Sequence, residues 1–172
     1  MNSSLIVSVI GPDRPGLVQQ LSSVVIDAGG NWEGSRLMQL GGHFTGMVQV
    51  GIPESALVAF QDSLKELEKK GLNVSVIHAG APITANENGE KPVTIEVVGQ
   101  DRPGIVASIS SSLATLGVNV IELATDCRPA AWSGETHFFT TATVTLPAGV
   151  TLEELRQHLE EIADDLMVEF PG

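Results

Sequence analysis

The stretch Gly11-Pro-Asp-Arg-Pro-Gly16 returns 88 positions later as Gly99-Gln-Asp-Arg-Pro-Gly104, and this return decides how the chain is organised. Aligned without gaps around the motif, residues 5–32 and 93–120 share 11 identities in 28 positions. Most of the other positions exchange one apolar residue for another. A unit this long has the size of a domain, whereas solenoid repeats span about 20–50 residues. The sequence therefore predicts one small fold that is used twice.

Each half predicts the same order of elements, β-α-β-β-α-β. Apolar runs indicate the strands, and apolar residues three and four positions apart indicate the helices. Each half also contains a strand pair with the pattern of a hairpin, which in the first half turns at Gly41-Gly42. The predicted elements are, in order, 4–10, 17–28, 31–39, 43–51, 53–71 and 73–78 in the first half, and 93–98, 105–116, 118–127, 135–146, 151–164 and 166–170 in the second.

This order is that of a ferredoxin-like fold, so we expect an α+β protein with two tandem domains. Each domain should be an antiparallel four-stranded sheet with two helices on one face. We place the first domain at 1–79, a polar linker at 80–92 and the second domain at 93–172. Units this small bury a modest fraction of their surface. The open sheet faces carry few charges, so we expect the repeats or two chains to meet there or edge to edge, as a homo-oligomer.

The net charge of −12, with 9 Lys and Arg residues in 172, limits which partners the chain can bind. Nucleic acids and anionic lipids are bound by clustered cationic side chains, so direct binding to either is disfavoured. No apolar run approaches the roughly 20 residues of a membrane span. The single cysteine, Cys127, excludes an intrachain disulfide and favours the cytoplasm. We predict it to be a buried or partly buried structural thiol.

No cofactor or metal site is predicted. His43 and His137 occupy matching positions before Phe, but a metal needs at least three well-placed ligands. Trp32 and Trp132 are expected to pack at an interface. No motif in the sequence supplies a nucleophile, a base and an orienting group together, which argues against an enzyme. The chain contains no Tyr, which argues against an RNA-binding sheet.

The repeated loop has the composition of an anion site at a helix start. Asp13 can cap the helix that follows, and Arg14 can offer a fork of donors to a carboxylate. Pro15 fixes φ near the first turn, and Gly16 leaves the N–H groups uncovered. The second copy offers the same groups in Asp101, Arg102, Pro103 and Gly104. The same residues are also compatible with a structural cap and a surface salt bridge alone.

Gly-x-Asp-Arg-Pro-Gly, followed by Leu-Val or Ile-Val between a strand and a helix, resembles the ACT domain, a regulatory module that binds amino acids. The stretch 31–45, with Ser35-Arg36-Leu37, Leu40-Gly41 and Phe44-Thr45, is similar more narrowly to freestanding ACT pairs that repress glycine-cleavage genes. The resemblance implies a non-enzymatic regulator that binds a small, glycine-like amino acid. It also implies a protein partner, a transcriptional activator of glycine-cleavage genes, and not DNA itself.

The resemblance further implies which residues bind the ligand. They are Gly11, Asp13, Arg14, Gly16, Leu17 and Asn31 in the first copy, and Gly99, Asp101, Arg102, Gly104, Ile105 and Asn119 in the second. The two asparagines are expected close enough to the loops to meet the amino group. Pro12 in one copy and Gln100 in the other leave open whether both sites are competent. Gly16→Val with Gly104→Val is expected to block the pockets and spare the fold. The alternative function is a protein-interaction module without ligand sensing.

Overall fold

The computed structural model describes residues 1–80, 92–129 and 134–171. The chain divides into two compact units, Met1–Pro82 and Ile83–Gly172, and each has a hydrophobic core of its own. The domain limits given above stay a prediction, because most of the linker and Trp132 lie outside the described residues. No helix in the described part of the chain is long and apolar enough to cross a membrane.

The first unit has the predicted order of elements, and its sheet order is β2-β3-β1-β4. All neighbouring strands are antiparallel, as the ferredoxin-like arrangement requires. A short 3-10 helix, Glu54–Ala56, leads into the second α-helix. The elements are β1 (Asn2–Pro12), α1 (Leu17–Asp27), β2 (Asn31–Leu40), β3 (His43–Pro53), α2 (Leu57–Lys69) and β4 (Asn73–His78).

The second unit repeats the topology with the sheet order β6-β7-β5-β8. Its last helix is shorter than the predicted 151–164, because the chain turns after Glu160. The elements are β5 (Val93–Gln100), α3 (Ile105–Thr115), β6 (Asn119–Pro129), β7 (Thr136–Thr145), α4 (Leu152–Glu160) and β8 (Met167–Glu169). The prediction of two tandem α+β domains, each a four-stranded sheet with two helices, is confirmed.

Each core lies between one sheet face and two helices, and the strand pattern sets it. Along β1 the side chains of Leu5, Val7 and Val9 are buried, while the alternate residues point to the opposite face. The helix stripes predicted from three- and four-residue spacing cover the buried face. In the first unit they contribute Leu17, Leu21 and Val25 from α1 and Phe60, Leu64 and Leu67 from α2.

Candidate functional site

The loop after the first strand of each domain is held by backbone hydrogen bonds to the hairpin opposite. The N–H of Asp13 donates to the carbonyl of Gly42 at 3.0 Å, and the N–H of Asp101 donates to Thr136 at 3.1 Å. Gly41 and Gly42 form the predicted hairpin turn, with φ of 56° and 77°. The strand pairing therefore brings the loop and the hairpin tip to the same end of the sheet.

The helices after these loops begin at glycine and not at aspartate. Gly16 and Gly104 are the N-cap residues, with left-handed φ values of 90° and 87°, and neither helix has a side-chain cap. The prediction that Asp13 and Asp101 cap the helices is therefore wrong. An N-cap side chain has to stand directly before the first helical residue, and both aspartates lie three positions too early.

The two helix starts are open within their own domains. A Cβ at Gly16 would meet only the ends of Gln20 and Gln19, at 3.9 and 4.0 Å, and a Cβ at Gly104 would meet nothing within 4 Å. The first N–H groups of an α-helix have no acceptor within the helix. In α3 the N–H of Ile105 donates to the carbonyl of Arg102 at 3.3 Å, so one of these donors is already used. The remaining donors and the helix dipole favour an anion.

The left-handed backbone also changes what valine would do at these positions. A β-branched residue is strained at a φ near 90° even where space is available. The expectation that Gly16→Val and Gly104→Val spare the fold is therefore wrong. Asparagine tolerates this region better than other non-glycine residues and adds a side chain at the same place.

Arg14 is engaged by its own domain. Its Nη2 donates to the carbonyl of Lys70 at 3.1 Å, and Lys70 is the C-cap residue of α2. A cation at a helix C-terminus interacts favourably with the last carbonyl groups and the helix dipole. The contact ties the first loop to the end of α2.

Arg102 binds a carboxylate in the matching region of the second domain. Its Nη1 lies 3.0 Å from Oδ1 of Asp165, and Oδ2 of Asp165 accepts from the N–H of Gln100 at 2.7 Å. The Gln100 N–H and the Arg102 guanidinium hold the pKa of Asp165 below its ordinary value. The predicted helix 151–164 and the predicted strand 166–170 leave Asp165 between them, without an assigned role. Its position directly before the last apolar strand, matching Gly71 in the first half, is the signal that could have placed it near the loop.

Gly11 and Gly99 permit close packing where the first strand of each domain ends. A Cβ at Gly11 would lie 2.8 Å from the carbonyl oxygen of Gly71, and one at Gly99 would lie 2.5 Å from Cδ2 of Leu166. Both glycines are buried, so they serve the contact with the turn before the last strand.

Leu17 and Ile105 also point inward. Their side chains are 3% and 4% exposed and belong to the two hydrophobic cores. Of the residues assigned to the ligand, these two can therefore contribute only their backbone groups.

Asn31 and Asn119 do not lie near the loops of their own domains. On β3, Asn31 pairs with Gly51, while Gly11 pairs with Phe44 seven positions away. At about 3.3 Å per residue this separates them by roughly 23 Å along the sheet. Asn119, paired with Thr145, stands in the same relation to the second loop. The expected closeness is therefore wrong within one domain, because the crossover helix returns the chain to the start of the sheet.

Three further side chains lie near the loops. His43 pairs with Pro12 and His137 with Gln100, so each histidine flanks a loop from the hairpin side.

The Cys127 thiol is exposed, contrary to the prediction, because β6 is an edge strand. Desolvation and the nearby Asp101 carboxylate raise the pKa of Cys127. Within the described residues, no group of three His, Cys, Asp or Glu side chains is arranged to hold a metal ion.

Comparisons with known proteins extend over both domains. ACT-domain family models match residues 3–76 and 93–160. The glycine cleavage system transcriptional repressor of Escherichia coli strain K12 is 24% identical over 164 residues, which cover 94% of this chain and 85% of the repressor. A crystal structure of a protein of unknown function from Galdieria sulphuraria is 27% identical, with a TM-score of 0.79 and full coverage of both chains. The crystal structure of a proposed glycine cleavage system transcriptional repressor is 18% identical with a TM-score of 0.72, and it covers 100% of this chain and 99% of that one.

Proposed function

The chain belongs to the ACT-domain family, and from that premise we propose that it is a non-enzymatic regulator that binds a small, glycine-like amino acid. The observation that carries the proposal is the pair of open helix starts. Each is preceded by a left-handed glycine and leaves backbone donors for a carboxylate.

The partner in this proposal is a protein, a transcriptional regulator of glycine cleavage. The similarity to the Escherichia coli repressor supports it, because the match includes both domains and the linker between them. The net charge of −12 supports action through a protein instead of direct contact with DNA.

The test is a thermal melt of the full chain with glycine and with each of the other common amino acids. A ligand that binds only the folded state stabilises it by about 2.7 kcal/mol at 100 times its Kd. We expect glycine or a similarly small amino acid to raise the melting temperature. Titration calorimetry without heat for any amino acid would contradict the sensing function.

Variants locate the binding site. Gly16→Asn and Gly104→Asn place a side chain over the helix starts with little backbone strain, and together they should abolish the shift. Gly149→Asn is the matched control, because Gly149 has a φ of 91° and nothing within 4 Å of its Cβ position, away from both loops. An unchanged shift in the double variant would place the ligand elsewhere.

A second function, a protein-interaction module without ligand sensing, is supported by the arginines. Arg14 and Arg102 both bind groups of their own domains, as they would if the loops were purely structural. Capture of the partner from a lysate of the native host separates the two functions. The interaction module predicts the same capture with and without added amino acid.

A further inference from the structure

The second loop, residues 99–104, already holds a carboxylate of its own domain. Oδ1 of Asp165 lies 3.0 Å from Nη1 of Arg102, and Oδ2 of Asp165 accepts from the N–H of Gln100 at 2.7 Å. A guanidinium and a backbone N–H are also the donors that an anion site offers to a bound carboxylate. Asp165 therefore makes, from within the domain, the kind of contact that an amino acid would make through its own carboxylate.

The Arg102 guanidinium has little left to offer to a second carboxylate. One terminal nitrogen is paired with Asp165, the other, Nη2, is buried, and the side chain as a whole is 35% exposed. The Gln100 N–H and the guanidinium keep the pKa of Asp165 below its ordinary value, so this carboxyl group is ionised at neutral pH. The formal charges of Arg102 and Asp165 cancel, and a ligand that approaches them meets no free cation.

The first loop, residues 11–16, lacks both partners of this contact. Pro12 stands at the position of Gln100 and has no N–H to donate. Gly71 stands at the position of Asp165 and has no side chain. The donor and the acceptor are thus present together in one domain and missing together in the other. The contact is a feature of the second domain only.

The arginine of the first loop keeps its charge available. Arg14 is exposed, and its Nη2 donates to a neutral acceptor, the carbonyl of Lys70, at 3.1 Å. Among the ion pairs of the described residues, none includes Arg14. A guanidinium has five N–H donors, so one bond to a carbonyl leaves most of them for a carboxylate beside the open start of α1.

We propose that Asp165 closes the second loop to amino acids, so that each chain binds one amino acid, at the first loop. The inference rests on the proposed function and assigns the binding to one of the two copies. Losing a charge-assisted hydrogen bond weakens binding by about tenfold or more, and the negative charge of Asp165 adds repulsion against a second carboxylate. Asp165 acts on the ligand through Arg102 and does not touch it.

Titration calorimetry of the full chain with glycine, alanine and serine in turn counts the sites. We expect one bound molecule per wild-type chain, and none after Gly16→Asn. Asp165→Asn removes the charge but keeps an oxygen for the N–H of Gln100, and it should raise the count to two. Asp165→Asn combined with Gly16→Asn should bind one molecule. The matched control is Asp164→Asn, which removes the same charge from the neighbouring exposed residue and should bind one molecule.

Modification of the arginines by phenylglyoxal, without any amino acid, tests the contact with Asp165 by itself. The reagent condenses with guanidinium groups, and mass spectrometry of peptides gives the rate for each arginine. We expect Arg14 to react faster than Arg102 in the wild type. Asp165→Asn should speed the reaction of Arg102 severalfold and leave that of Arg14 unchanged, whereas Asp164→Asn should change neither rate.

The outcomes separate this proposal from the proposed function. Two sites in the wild type, or a single site that survives Gly16→Asn, would overturn the proposal while amino-acid binding stands. So would an Asp165→Asn chain that still binds one molecule, or one in which Arg102 reacts no faster than before. If neither the wild type nor Asp165→Asn gave heat with any of the three amino acids, the proposed function would fail, and this proposal with it.

Discussion

A single carboxylate distinguishes the second loop from the first at the residue scale. In both domains an apolar residue, Leu72 or Leu166, packs against the end of the first strand. The residue before it is Gly71 in the first domain and Asp165 in the second. The aspartate neutralises Arg102 and binds the backbone of Gln100, while Arg14 is left with a carbonyl. The two loops therefore respond differently to pH.

The pH response follows from the depressed pKa of Asp165. A carboxyl group whose pKa is lower in the folded state contributes stability above its unfolded value of 3.8, and loses it as the pH falls through the folded value. We expect Asp165→Asn to lower stability at pH 7 by no more than about 1 kcal/mol, because both partners are partly exposed. The difference from the wild type should shrink as the pH falls below 3.8.

Thermal melts of both proteins from pH 7 to pH 3 measure this difference. Asp164→Asn serves as the control, because it removes the same charge one position away. A difference between Asp165→Asn and wild type that stayed constant over the whole pH range would contradict the assignment.

The positions of Asn31 and Asn119 could not be predicted from residue type alone. The resemblance to ACT domains predicts Asn31 and Asn119 close enough to the loops to meet the amino group of a ligand. The topology already argued otherwise, since a strand–helix–strand crossover starts both strands at the same end of the sheet. Gly11 lies at the far end of β1, so the two groups are separated by the length of the strand. Carrying the predicted strand directions through to the side chains would have given this result.

At the scale of elements, the helices begin in three different ways. α1 and α3 begin after left-handed glycines without a side-chain cap, and α2 follows a 3-10 turn. α4 has a capping box, in which Thr151 Oγ1 accepts from the N–H of Glu154 at 3.2 Å and Glu154 Oε2 accepts from the N–H of Thr151 at 2.8 Å. α2 also lacks a side-chain cap, so what distinguishes α1 and α3 is the left-handed glycine directly before each of them.

The capping box should therefore stabilise the second domain measurably. We expect Thr151→Ala to lower the free energy of unfolding by about 0.5–2 kcal/mol, because it leaves the N–H of Glu154 without its acceptor. Urea denaturation followed by circular dichroism measures the change. Thr115→Ala is the control, since the Thr115 hydroxyl donates to the carbonyl of Ser111 at a helix end and caps nothing. Equal effects of the two substitutions would contradict the role of the box.

Elements were easier to predict than contacts for a physical reason. Strands and helices follow from local periodicity, so both domains could be derived from patterns such as the alternation along 4–10 and the spacing along 17–28. The contacts of Arg14 with Lys70 and of Arg102 with Asp165 join positions 56 and 63 residues apart. Such pairs depend on how the end of the second helix of each domain packs against the first loop. No local sequence pattern predicts this packing.

At the scale of the whole molecule, the two repeats carry very different charge. Residues 1–79 contain seven acidic and five basic side chains, a net charge of −2, and residues 93–172 contain twelve and three, a net charge of −9. Similar backbones are thus combined with different surfaces. Self-repulsion destabilises a compact state, and it should weigh more heavily on the second domain.

Salt should therefore stabilise the second domain more than the first. Raising NaCl from about 10 mM to about 1 M shortens the screening length from about 30 Å to about 3 Å, which removes most repulsion between exposed charges. Hydrogen exchange read by mass spectrometry reports each domain within the same chain, through the buried strand segments 5–9 and 95–97. We expect exchange to slow more in 95–97, with 5–9 as the internal control for general salt effects. Equal slowing in both segments would mean that the excess of negative charge does not limit the stability of the second domain.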